Sequence, residues 1–280
     1  NEEAMISYAT MLKRGNGVQA NKEEAAKYYK KAADKGNDIG MLNYARMLYK
    51  GEGIPTNKKE AAKYLKMASD KGNASAMVLY GNMLYNGEGV PEDKEEAANY
   101  FRSSAKNGNV HGMLNYASVL KKGEGIELNL QKAAYYFKKA AKEGNDSAML
   151  NYANMAKKGE GCLVNLKDAA RFYKMAADSG NETAMLCYAE MAENGQGVHE
   201  NKAIYYLDLS AKKGNETARM KYKSLMKSIS AKEEASDDSE KEENHKSNKD
   251  SPSKYKKSDD SKSSQHSTNK RSQSLNKTDS

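Results

Sequence analysis

Apolar residues fall at i, i+3, i+4 and i+7 in one stretch of this chain after another: Met5, Tyr8, Ala9 and Leu12; Met41, Tyr44, Ala45 and Leu48; Met77, Tyr80, Gly81 and Leu84; Met113, Tyr116, Ala117 and Leu120. That spacing puts each quartet on one face of a helix. A second pattern follows the first: in residues 21–36 Ala25, Ala26, Tyr29, Ala32 and Ala33 form a stripe, again at helical spacing. We call these helix A and helix B. Between them stands a Gly-x-Gly pair, at Gly15/Gly17, Gly51/Gly53, Gly87/Gly89, Gly123/Gly125, Gly159/Gly161 and Gly195/Gly197, so that the whole pattern repeats every 36 residues. A fixed period of this size marks a solenoid, in which each unit stacks on its neighbours. The pattern predicts an all-α array of about six helix-turn-helix units.

Local signals fix the ends of the helices. Asn21 followed by Glu24, Asn57 by Glu60 and Asp93 by Glu96 have the spacing of a capping box at the start of helix B. Gly36, Gly72, Gly108, Gly144, Gly180 and Gly214 close helix B, and the Asn after each, from Asn37 to Asn215, reads as the cap of the next helix A. Ordering a residue costs about 1–2 kcal/mol and burying a large apolar side chain returns about 1.5–3 kcal/mol, so stability must come from stacking and a single hairpin should not fold.

The array is expected over residues 1–226. Asn1 aligns with Asn37, and the chain starts without Met and without a polar capping unit, which reads as a piece of a longer polypeptide continuing N-terminally. At the other end Arg219 and Lys223 enter the stripe of a seventh helix A while Tyr222 and Met226 keep its inner face, as a terminal capping helix would. The glycine spacing shortens from 36 to 34 between Gly180 and Gly214. Residues 227–280 are Ser, Lys, Asp, Glu and Asn with almost no apolar content, and are expected to form a disordered tail.

Composition narrows the chemistry. With 38% hydrophobic residues, no Trp and three Phe, the core must be built of Ala, Met, Leu and the 19 Tyr. The net charge of +8 divides as +7 over residues 1–226 and +1 over the rest, too little to demand nucleic acid. No run approaches the roughly 18 apolar residues of a membrane span. Cys162 and Cys187 match neither a disulfide framework nor a metal site, which favours a reducing, cytoplasmic setting. His111, His199, His245 and His266 have no acid or cysteine at ligand spacing, and nothing resembles a nucleophile with its base. The Gly-x-Gly pairs lack the strand, third glycine and Lys-Ser/Thr of nucleotide loops. The pairs Tyr28/Tyr29, Tyr135/Tyr136 and Tyr205/Tyr206 are core or ridge residues of helix B by position. Four glycosylation patterns begin at Asn73, Asn145, Asn181 and Asn215, each already explained as a helix cap.

The Ala-Met-x-x-Tyr-Ala of helix A, the Gly-Glu-Gly loop, the Lys-x-Ala-Ala-x-Tyr-Tyr of helix B and the closing Gly-Asn resemble the Sel1-like repeat family, over residues 1 to about 226. The resemblance implies a right-handed α/α superhelix similar to tetratricopeptide arrays, with helix A lining the concave side, and a role as scaffold or adaptor for other proteins. Cysteine-rich bacterial relatives linked to β-lactams carry bridged helix pairs; Ala177 and Ala184 stand where we align those cysteines, which disfavours that subgroup.

If helix A faces the groove, the residues beside its core stripe are the candidate binding set: Asn43, Arg46, Asn82, Asn115, Lys121, Lys122, Asn151, Asn154, Lys157 and Lys158. Amides offer donors and acceptors to an extended peptide backbone, and the lysines could hold acidic side chains or a carboxylate terminus. Glu190 and Glu193 turn the groove acidic toward its C-terminal end. The preferred function is a non-enzymatic interaction scaffold that binds a partner protein or peptide, needs no cofactor and takes no small-molecule substrate. Two alternatives stand beside it: a regulatory or docking region of a larger enzyme, such as a protein kinase, whose catalytic domain lies upstream, and a repeat array that binds RNA one base per unit. The modest charge and the inward role of the tyrosines weigh against RNA.

Overall fold

A computed structural model describes residues 1–196 and 200–247, with side chains for all of these but residues 200, 201 and 232–247. Every regular element among them is an α-helix. The A helices carry odd numbers: α1 (Glu2–Arg14), α3 (Asp38–Lys50), α5 (Ala74–Asn86), α7 (Val110–Lys122), α9 (Asp146–Lys158), α11 (Glu182–Glu193) and α13 (Glu216–Ser247). The B helices carry even numbers: α2 (Lys22–Asp34), α4 (Lys58–Asp70), α6 (Lys94–Lys106), α8 (Leu130–Lys142), α10 (Leu166–Asp178) and α12 (Glu200–Lys212). Residues 1–227 form one compact unit, an α/α solenoid. The last helix runs on past the expected end of the array to Ser247, and residues 248–280, which hold most of the expected tail, lie outside the described residues, as does Gly197.

The apolar stripes do what their spacing requires. Met41, Tyr44, Ala45 and Leu48 are buried, and one continuous hydrophobic cluster runs from Ala9 to Tyr206. In each unit an A-helix tyrosine meets a B-helix ring edge-on at about 5 Å, from Tyr8 with Tyr28 through Tyr44 with Tyr64 to Tyr152 with Phe172. The paired tyrosines divide between core and ridge: Tyr29 and Tyr206 are buried, while Tyr135 and Tyr205 stand 61% exposed on the outer side of helix B. In α13 the inner residues are Tyr222 and Leu225, not Met226, which is exposed. The reason is one-sided packing: each earlier A helix packs against the B helix that follows it, and among the described residues none follows α13.

The caps form with one change from expectation. Asn21 accepts from the Glu24 amide through its side chain at 3.0 Å, and Asn37 from Gly40 at 2.9 Å. The reciprocal half of the capping box is absent at Asn21, because its own amide donates to the Leu12 carbonyl at 2.9 Å. Asn57, Asp93, Asn129 and Asn165 tie back to the end of their A helices in the same way, so each loop is closed by an A-helix carbonyl that would otherwise be left over.

The two loop glycines have different duties. Gly51 caps α3 at φ 70°, with its amide donating to Met47. Gly53 sits at φ 75° directly on the first turn of the preceding unit's B helix; a Cβ there would lie 2.6 Å from the Lys22 carbonyl oxygen. Gly89, Gly125 and Gly161 seat on Lys58, Lys94 and Leu130 in the same manner. The second glycine therefore joins units, which its place in the sequence does not reveal.

Candidate functional site

The A helices of successive units touch one another, α1 with α3 and α5 with α7, and the candidate residues lie along this line. Two pockets open there. One, of about 110 Å³, has Leu65, Leu79 and Met83 among its lining and Arg46, Asn82 and Asn86 around it. The next, of about 320 Å³, lies between Arg46, Asn82, Asn115 and His111 over Val78 and Leu79. A third depression continues between Asn82, Asn115, Ser118 and Lys122. Arg46, Asn82 and Asn115 are thus brought together on one surface. Asn115 donates its amide N–H to Asn82 Oδ1 at 2.9 Å, linking α7 to α5.

The lysines expected to receive an acidic ligand are mostly engaged. Lys121 pairs with Glu160 at 3.5 Å, Lys122 with Glu124 at 3.5 Å and Lys158 with Glu160 at 3.7 Å. The acidic end is answered too, since Lys221 of α13 lies 3.2 Å from both Glu190 and Glu193. Asn154 is turned inward, accepting from the buried Tyr173 hydroxyl at 2.6 Å, and Asn151 donates to the Ser147 carbonyl. Asn43, Arg46 and Lys157 have neither a hydrogen bond nor an ion pair to a described residue. Arg46 is exposed; Asn43 and Lys157 are half-buried.

A repeated contact between units explains the use of Lys121, while Lys122 and Lys158 pair with the loop that follows their own helix. In α1, α3, α5 and α7 the residue one position before the helix end reaches the middle residue of the next unit's Gly-x-Gly loop: Lys13 meets Glu52 at 2.7 Å, Tyr49 donates to Glu88, Tyr85 donates to Glu124, and Lys121 meets Glu160. These hydrogen bonds hold the Glu88 and Glu124 carboxyls below the usual carboxylate range and push the Tyr49 and Tyr85 hydroxyls up. At the next junction the loop residue is Gln196, which offers Lys157 no charge and whose Oε1 is buried without a hydrogen bond. The period shows these positions, but the pairing appears only when units are stacked.

Burial raises both thiols, Cys162 and Cys187, so neither has the thiolate character of a nucleophile. Among the described residues no three His, Cys, Asp or Glu side chains gather as a metal site. No described helix is long and apolar enough to cross a membrane.

The Sel1 repeat family model matches residues 2–37, 39–73, 74–109, 110–145, 146–181 and 183–215. This chain belongs to the Sel1 repeat family. Among solved structures it is similar to c5321, a protective antigen present in uropathogenic Escherichia coli strains and displaying an SLR fold, at 26% identity and a TM-score of 0.76, over 80% of this chain and 48% of that one. The present chain thus spans about half the length of that protein. It is also similar to a Sel1 repeat protein from Oxalobacter formigenes, at 27% identity and a TM-score of 0.67, over 75% of this chain and 85% of the other. A comparison with curated proteins finds no match. Sel1 repeat proteins are generally non-catalytic scaffolds for protein interaction.

Proposed function

We propose that this Sel1 array is a scaffold that holds a partner protein on the surface of its A helices, at units two to four. The observation that carries this reading is the row of open pockets between α3, α5 and α7, rimmed by Arg46, Asn82 and Asn115 and floored by apolar side chains. A few polar groups around an apolar floor give orientation and contact area together. A repeat array offers such a surface because its core is used up between units, leaving one long side of each A helix uncovered. The ion pairs at Lys121, Lys122 and Lys158 support a contact centred nearer Arg46 than those lysines.

Site-specific photo-crosslinking in the native host tests this reading. A crosslinker at position 82 or 115 is expected to trap a discrete protein, whereas one at position 135, on the outer side of α8, is expected to trap none. Crosslinks confined to position 135 would remove the assignment of the A-helix surface.

A further inference from the structure

One A-helix position decides which units have side chains to spare. It is held by Thr10, Arg46, Asn82, Ser118, Asn154 and Glu190, 36 residues apart, and in units one, two, three and five it lies beside a B-helix core residue of its own unit. In units one and five that core residue is a tyrosine, and the A-helix side chain is needed to satisfy it: Tyr29 with Thr10 at 2.8 Å, Tyr173 with Asn154 at 2.6 Å. In unit six Glu190 is held by Lys221. In units two to four the corresponding residues are Leu65, Phe101 and Phe137, which have no polar atom to satisfy; Arg46 and Asn82 are left facing the groove, while Ser118 donates to the Leu114 carbonyl of its own helix at 2.9 Å. The three pockets of this surface lie in those same units.

We infer, building on the scaffold reading above, that this groove takes an extended peptide segment of its partner, with an acidic side chain on Arg46 and the adjacent apolar side chain over Leu65, Leu79 and Met83. Arg46 is exposed and makes no ion pair, while four other cations along the same surface, Lys13, Lys121, Lys122 and Lys158, face a loop glutamate. A guanidinium fork receives a carboxylate through two parallel hydrogen bonds. Beside it the Asn82–Asn115 bond uses one donor and one acceptor of the two amides, leaving the Asn82 NH₂ and the Asn115 Oδ1 for a peptide C=O and N–H. Neighbouring helix axes lie about 10 Å apart, so three A helices span about 20 Å, the length of about six extended residues. A polyanion is disfavoured because Glu88 lines the Arg46 pocket and Glu124 the third depression. A single carboxylate meets Arg46 without approaching both.

The test uses the full chain and capped synthetic hexapeptides of serine carrying one Asp or Glu next to one Leu at each possible position, with matching sets that carry Lys or Asn in place of the acid. Binding is followed by ¹⁵N chemical shifts, including the Arg46 side-chain Nε–Hε signal. The acidic set is expected to shift Arg46, Leu79, Asn82 and Asn115, and R46A to weaken its binding roughly tenfold, with R46K retaining part of it. R46A breaks no internal hydrogen bond or ion pair, so a nearly unchanged melting temperature is expected to accompany the loss. Equal binding of the Lys or Asn set, unaltered binding by R46A, shifts at other residues, or no shift with any hexapeptide would each overturn the inference. So would a uridine hexanucleotide shifting the same signals, which favours nucleic acid instead. Binding of the Lys set in the same groove leaves the scaffold reading intact, and the crosslinking experiment judges that reading separately.

Discussion

At the scale of single residues, the glycines separate two kinds of requirement. Gly72 has φ 90° and open space where a Cβ would go, while Gly53 has φ 75° and the Lys22 backbone in that place. Gly72→Ala carries only the left-handed strain of about 1–2 kcal/mol. Gly53→Ala adds a collision with main chain that no side-chain rotation relieves, so roughly 3–4 kcal/mol is expected in all. Urea denaturation of the two variants side by side measures the difference; equal losses would mean that the loop does not seat on the preceding unit. Both glycines were legible as turn residues in the sequence. The second one's partner was not, because it belongs to another unit and depends on how far one hairpin is offset along the next.

At the scale of helices, the contacts between B helices make stability sensitive to acid. Asp168, in the first turn of α10, accepts from Lys138 of α8 at 2.8 Å and from the Tyr152 hydroxyl of α9 at 3.2 Å. The Lys138 hydrogen bond, chiefly, holds the Asp168 carboxyl below its ordinary value. A carboxylate whose folded value is depressed contributes stability above its unfolded value and loses it as pH falls through the folded one. D168N is therefore expected to cost about 1 kcal/mol at pH 7, and the gap from the parent to close progressively below about pH 4. Thermal melts of both proteins from pH 7 to pH 2.5 report this; a gap that stays constant would show that the charge is not what matters. Helix positions, stripes and the Asn and Asp caps of α1–α11 were readable from the 36-residue pattern, since each is dictated by neighbours within four residues; the tie from Asn21 to Leu12 and the exposure of Met226 were not. The free or engaged state of the candidate lysines was not readable. Tyr49 and Glu88, for example, are 39 residues apart, and their meeting depends on unit stacking.

For the whole molecule, the compact unit that ends at Lys227 should carry the stability of the array. A chain of residues 1–227 is expected to melt within about 2 °C of the full chain, because a difference below about 1 kcal/mol moves the midpoint of a domain this size by no more than about 2–4 °C. Differential scanning calorimetry decides this, and a large drop would mean that residues beyond 227 support the array. The family and the α/α architecture were visible in the sequence alone, because periodic burial is a one-dimensional signal. The basic stretch of the groove was mostly not a free one, since Lys121, Lys122 and Lys158 face loop glutamates of the array itself.

The contact from each A helix to the next loop also bears on how such a chain grows. Each of the first five units brings a hydrogen-bond donor near the end of one helix, and units two to five bring a carboxylate in the loop. A copied segment inserted in register would find a compatible seam on both sides, with lysine and tyrosine interchangeable as donors. Lengthening by duplication then needs no new surface, and Gln196 marks a seam whose loop residue lacks the charge that the other four carry.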